Sequence, residues 1–279
     1  MRKSVTAILL FSCISATSLQ AQQTVIAVQK GQKFKAESTL KSNSSAEVMG
    51  QAMETTANST SETLYEITGT GQNEISLQLT ITKMLVNSSS MGQEMNYDSD
   101  KDKSGPMADV FGPKINKAES IVIDSKGMIT KKDDTGDNNQ GLMMGLNNLN
   151  PTTTDLFVPA LIGRELKVGD IFTDTSSTTK EKYSSRDSGT YRITAIDNGI
   201  AAVSYTGTQV LATVIDQMGM EMVTNANNTI KTEMQVDVKT GLVLVKATVI
   251  ETNVSIDAGG MTIPATGKTI ATVKVTPVQ

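Results

Sequence analysis

Ile75-Ser76-Leu77-Gln78-Leu79-Thr80-Ile81-Thr82-Lys83-Met84 reads as a β-strand with one apolar face. Ile75, Leu77, Leu79 and Ile81 fall on one side, and Ser76, Gln78, Thr80 and Thr82 on the other, the period-two pattern of a half-buried strand. Gly69-Thr70-Gly71-Gln72-Asn73 ahead of it supplies a turn, and residues 64–68 supply the preceding strand. The plan returns further along: residues 191–196 and 200–211 bracket Asp197-Asn198-Gly199, and Asn-Gly is the strongest short hairpin signal.

The return is close enough to be a repeat. Met91-Gly-Gln-Glu-Met95 is echoed by Met218-Gly-Met-Glu-Met222, and Tyr65-Glu-Ile-Thr68 by Tyr191-Arg-Ile-Thr194, at nearly the same spacing. Gly31-Gln-Lys-Phe34 likewise matches Gly169-Asp-Ile-Phe172. Residues 120–124 and 128–130, around Ser125-Lys126-Gly127, mirror 232–238 and 242–256 around Lys239-Thr240-Gly241. Residues 35–42 and 269–275 complete the strand set.

The expected fold is mainly β: two related halves of antiparallel strands, 22–130 and 156–279, forming a curved sheet, half-barrel or sandwich. They share one core or form two lobes. Between them, 131–155 reads as an irregular or helical connector, rich in Gly, Asn and Asp, with a short helix expected around 143–149. Pro159 within the apolar residues 156–161 argues against a long helix there.

Residues 1–21 read as an export signal: Arg2 and Lys3, a short apolar run, and Leu19-Gln20-Ala21 as the cleavage site. Leu10-Phe11-Ser12-Cys13 offers the alternative of a lipoprotein anchored at Cys13. In the first case the exported chain has no cysteine, so no disulfide or thiol chemistry. No apolar run approaches the roughly 20 residues of a spanning helix. The expected location is the periplasm or cell envelope, or outside the cell.

Composition excludes several functions. There is no histidine, which removes the usual general base near neutral pH, the commonest zinc ligand and the Ser-His-Asp triad. A net charge of −4 with no basic stripe argues against nucleic acid. With no local catalytic motif, the chain is expected to be a non-enzyme without a cofactor.

The Gly-x-x-Phe openings, Tyr-x-Ile-Thr strands, Met-Gly-x-x-Met hairpins and Asp-x-Lys-(Thr)-Gly turns together resemble the exported Bacteroidetes-type bacterial proteins grouped as domain of unknown function DUF6263. Tyr97-Asp98-Ser99 and Leu166-Lys167-Val168-Gly169-Asp170 carry most of the likeness, which extends over most of the exported chain; Phe172 stands where that family often has Trp. The resemblance implies an envelope or secreted β-protein and carries over no catalytic residues.

Two constellations remain. Met49 with Met53, Met91 with Met95, and Met218, Met220 and Met222 fall at alternating or hairpin positions. They suit contacts to a hydrophobic small molecule, lipid or envelope protein, since thioethers adapt to irregular apolar surfaces. Ordinary hairpin packing and a soft-ligand Cu(I) or Ag(I) site are the alternatives, as is a purely structural role in an envelope assembly. Asp98, Asp100 and Asp102 alternate as a calcium loop begins, but Lys103 occupies the sixth position, where such a loop needs Gly. A solvated loop is the plainer reading.

Overall fold

The computed structural model describes residues 23–48, 50–90, 92–132, 155–217 and 220–278. The expected export signal, Cys13, the helix expected around 143–149, and Met49, Met91 and Met218 lie outside the described residues, as does the Met220 side chain. The elements are β1 (Lys33–Val48), β2 (Gln51–Thr70), β3 (Glu74–Ser90), β4 (Gln93–Asp98), α1 (Pro106–Phe111), β5 (Ala118–Asp124), β6 (Ile129–Lys132), β7 (Ile171–Lys180), β8 (Tyr183–Asp197), β9 (Ile200–Gln217), β10 (Met220–Asp237), β11 (Val243–Ala258) and β12 (Met261–Val278).

The strands form one 12-stranded antiparallel sheet, ordered β6-β5-β3-β2-β1-β12-β11-β10-β9-β8-β7, with β4 also paired to β3. The sheet is curved and not closed. Of the forms the sequence left open, the curved single sheet is the one adopted; there is no sandwich. β1 pairs with β12 at its centre and joins the halves. The two edges, β6 and β7, are neighbours in sequence. Lys131 and Lys132, placed in the connector by composition, extend β6. The Ser/Thr-rich residues 55–63, which lack apolar alternation, belong to the 20-residue β2. Their neighbours on β1 and β3 dictate the pairing.

The two halves repeat individual bonds. Phe34 pairs with Tyr65, and Phe172 with Tyr191. Gly31 N–H donates to the Ile67 carbonyl at 2.7 Å, and Gly169 N–H to that of Ile193 at 2.8 Å. Both glycines sit at positive φ, 88° and 92°, which a side chain would strain. A β-bulge follows Ile67 in one half and Ile193 in the other. Asp124 Oδ1 accepts from the amides of Lys126 and Met128, and Asp237 Oδ1 from those of Lys239 and Thr240.

One difference stands out. β10 runs unbroken, whereas its counterpart is split into β4 and β5, with α1 and a 3-10 turn at Gly112–Lys114 between them. Sequence patterning gave no sign of that helix. Met107, Ala108, Val110 and Phe111 of α1 are buried in the core with Ile81, Met84 and Tyr97. Phe111 lies 5.6 Å from the Tyr97 ring.

One face of the sheet, here called inner, carries the core, and the core is confined to one end. Tyr65, Ile67, Leu77 and Val86 are wholly buried in the first half, and Ile193, Val203 and Val236 in the second. Leu156 and Phe157 join the first cluster; Val158, Leu161 and Leu166 join the second. The apolar residues after the connector thus bridge both clusters, with Pro159–Leu161 as a 3-10 turn. Each fully buried Leu, Ile or Val contributes about 1.5–3 kcal/mol, so this end holds the sheet together.

Candidate functional site

Five hairpins project from the end opposite the core. Their closing pairs are Val48–Gln51, Ser90–Gln93, Lys180–Tyr183, Gln217–Met220 and Ala258–Met261. Three of them close in sequence around the Met-Gly dipeptides; Met49, Met91 and Met218 themselves lie outside the described residues. Gly50 and Gly92 take φ of 77° and 76°, the left-handed geometry that two-residue hairpins require.

Successive rows can be followed across the inner face by register. Nearest the core, Phe172, Tyr191, Tyr205, Thr232, Thr248, Ala271 and Leu40 lie side by side. Two rows further out come Ser176, Asp187, Gln209, Asn228, Thr252 and Gly267. Beyond these the face turns apolar. Leu211, Ala226, Val254, Ala265, Ala46 and Met53 form one row, Ile256 and Ile263 the next, and Met222 reaches the rim. Leu211, Val254, Ile256, Ile263, Met53 and Met222 are half-buried; Met261 at the rim is exposed. Among the described residues nothing packs over them as α1 packs over the first half.

Of the methionines singled out by sequence, Met53, Met95 and Met222 are therefore on the inner face and half-buried. They do not converge. Four strand spacings separate β2 from β10, about 19 Å along the sheet, too far for one coordination sphere. Among the described residues two open clefts lie on the surface, about 540 Å³ beside Ser44, Thr55, Thr252 and Gly267, and about 330 Å³ beside Arg164, Asp170 and Phe172.

Asp98, Asp100 and Asp102 form a turn in which each carboxylate already has a partner within the protein. Asp98 Oδ1 accepts from the Asp100 amide and Oδ2 pairs with Lys101; Asp100 pairs with Lys83; Asp102 Oδ2 accepts from the Asp98 amide. The Lys101 contact and the Asp100 amide hold the Asp98 carboxyl below its usual range. Among the described residues no three acidic side chains gather as metal ligands.

Sequence reasoning did not single out a polar and aromatic cluster on β7–β10. Gln209 Nε2 donates to Asp187 Oδ1 at 2.6 Å, and Asn228 Nδ2 to Gln209 Oε1 at 2.8 Å. Ser185 and Ser176 donate to Asp187 Oδ2 at 2.9 and 3.3 Å. Beside this chain runs an aromatic ladder. Arg164 stacks on Phe172 at 4.2 Å, Phe172 on Tyr191 at 5.3 Å, and Tyr191 meets Tyr205 at 4.6 Å. Tyr205 lies flat across two glycines: a Cβ on Gly189 or Gly207 would come within 2.3 Å of its ring or hydroxyl. Burial, with the charges of Asp187 and Asp174, pushes the Tyr205 hydroxyl above its ordinary range. The signal in the sequence was a glycine inside each strand pattern, which marks close approach.

No family model matches this chain. No curated protein matches it. Among solved structures, one of lipovitellin concerned with lipid–protein interactions is similar over 90% of this chain, at 14% identity and a TM-score of 0.46; this chain spans 26% of that one. An outer membrane channel from Pseudomonas putida F1 is similar over 90% of this chain and 97% of its own, at 9% identity and a TM-score of 0.28. The translocator domain of an autotransporter from Neisseria meningitidis is similar over 88% and 89%, at 9% identity and 0.22. At these scores none of them carries an argument about function. Among the described residues no helix is long and apolar enough to cross a membrane.

Proposed function

We propose that this is an exported, non-enzymatic protein of the bacterial envelope, of the DUF6263 type. In this reading it takes a lipid or other amphiphile on the inner face of its sheet, at the hairpin end. The observation that carries the proposal is the change of character along that face. Past the polar row, Leu211, Val254, Ile256, Ile263, Met53 and Met222 turn inward at alternate positions yet stay half-exposed. Residues that alternate inward without a partner are either wasted or reserved for one, and contiguous exposed apolar patches mark interaction sites. Methionine at the rim suits a ligand of variable shape. The clefts among the described residues are open, so the protein holds its ligand against an open wall.

The assay is displacement of a fluorescent apolar probe from the purified chain. Val254→Asp and Ile256→Asp place a charge on the inner face and should abolish binding. Val210→Asp, on the outer face where Val210 is already 51% exposed, should leave it unchanged. Equal effects from inner and outer substitutions would reject the proposal.

A further inference from the structure

We infer that two copies of this chain pair along β7, antiparallel about a two-fold axis at Ser177, so that one sheet continues into the next. The inference is independent of the proposed ligand and concerns the open edge of the sheet.

Hydrogen bonding across the β7–β8 hairpin leaves one side of β7 unused. Lys180 and Tyr183 close the hairpin around Glu181 and Lys182. The closing pair of a two-residue loop exchanges both of its amide–carbonyl bonds, and bonded and non-bonded pairs alternate from there. The even-numbered residues from Phe172 to Lys180 therefore bond to β8. The odd-numbered ones, from Ile171 to Thr179, turn their amides and carbonyls away from it. The other end of the strand agrees: Ile193 donates to the carbonyl of Asp170, again an even position. Among the described residues no strand lies on the outward side.

The other free edges are guarded, and this one is not. β6 has four residues, two of them Lys131 and Lys132. β4 has six, and α1 packs beside it with Phe111 on the Tyr97 ring. Short, charged or covered edges resist further pairing. β7 runs for ten residues without proline, and its register with β8 is unbroken from Ile171 to Lys180. Every residue in it but Phe172 is exposed. A long, regular edge of this kind is a template for another strand.

Charge selects a second copy as that strand. Asp174 and Lys180 share the inner face, and neither is in an ion pair with a described residue. Ser177 lies midway between them in sequence. A two-fold axis through Ser177, perpendicular to the sheet, sets Asp174 opposite Lys180 of the partner subunit, and by symmetry does so twice. Opposite charges directly across a strand pair stabilise it. The same axis sets Thr175 opposite Thr179 of the partner subunit, another stabilising pair, and Ser177 opposite itself. These outward positions supply about six backbone hydrogen bonds between the copies. The axis keeps each face on its own side, so the inner faces of the two copies become one continuous surface.

The experiment is sedimentation equilibrium of the purified chain from about 1 μM to about 500 μM. The wild type should show a monomer–dimer equilibrium with a Kd of about 10–100 μM, as suits an interface below standard size. Asp174→Lys sets lysine against lysine at both ends of the seam, and Lys180→Asp sets aspartate against aspartate. Each should weaken dimerisation about tenfold or more. An equimolar mixture of the two variants restores opposite charges at both ends, so it should dimerise as the wild type does. Ser177→Pro removes the outward amide at the axis and should leave only monomer. Proline is tolerated on the free side of an edge strand, so the thermal midpoint of that variant should not move. A wild type that stays monomeric throughout, or a dimer that Ser177→Pro leaves intact, would overturn the inference. A mixture no better paired than its components would overturn the axis at Ser177. A monomer whose outward β7 amides resist hydrogen exchange would assign the edge to another segment of the same chain and overturn the second copy.

Discussion

Gly189→Ala measures how Tyr205 is held. A Cβ there would lie 2.3 Å from Cε2, Cζ and the hydroxyl of Tyr205, its three nearest neighbours. Contact between such atoms needs about 3.5–4.0 Å, so the rigid ring must leave. Leaving forfeits its packing on Tyr191, worth about 0.5–1.5 kcal/mol. It also re-exposes about half of a buried tyrosine, roughly 100 Å² or about 2.5 kcal/mol. Replacing glycine within a strand returns about 0.5–1 kcal/mol. The net loss is about 2–3 kcal/mol, a fall in Tm of about 5–10 °C for a chain of this size. The decisive measurement is a double-mutant cycle by denaturant titration. In a Tyr205→Ala background those three contacts are gone, so Gly189→Ala should cost far less than in the wild type, with a coupling of about 2 kcal/mol or more. If Gly189→Ala costs the same in both backgrounds, Tyr205 does not rest on that glycine.

Two further outcomes concern the core end. Lys246 pairs with Asp155 at 3.0 Å, with side chains 18% and 13% exposed, so Lys246→Ala should cost about 3–5 kcal/mol in urea titrations. Lys246→Met combined with Asp155→Leu should recover most of that, and failure to recover would mean the charges themselves are required. Burial, then the Asp155 charge, holds the Tyr65 hydroxyl well above its ordinary value of 10.0; burial, then Tyr205 and Asp174, does the same for Tyr191. A raised folded pKa contributes stability that is complete below the unfolded value and lost as pH climbs toward the folded one. The urea midpoint should therefore fall above about pH 10, less steeply in Tyr191→Phe; a midpoint flat to about pH 11 would contradict this.

Strand alternation made the architecture readable wherever one face is apolar, as in residues 75–84 and 200–211. It was silent where both faces are Ser and Thr. Residues 55–63 bury only Ala57, Ser59 and Thr63, and β7 buries no residue fully; both are strands because their neighbours supply unpaired amides and carbonyls. Helix α1 was illegible because Pro106–Phe111 is too short to show a helical period; its burial comes from Tyr97 and Met84, distant in sequence. The Met-Gly hairpins were legible as turns, but their chemistry depends on what lies inward of them. Asp187 could have been placed by counting back in twos from Tyr191 through Gly189. The intervening glycine broke the apolar pattern, and a polar residue in such a strand reads as solvent-facing until its partners on β9 and β10 are known.

We propose that the paired positions reflect an internal repeat, which gives a binding face a way to arise without new architecture. In the first half, fourteen or so extra residues between β4 and β5 carry α1 over the sheet, and the positions below it remain small or apolar. In the second half β10 is continuous, and among the described residues no helix lies over the same positions. A covered position is constrained by packing to stay apolar, because overpacking or an unpaired charge destabilises. An uncovered one is not, and can accept Asp174, Asp187 and a ring laid over two glycines. On this argument, grafting residues 99–117 between β10 positions 226 and 230 would close the second face and remove ligand binding without disturbing the core end, because Ile193, Val203 and Val236 lie on the far side of the Tyr205 row.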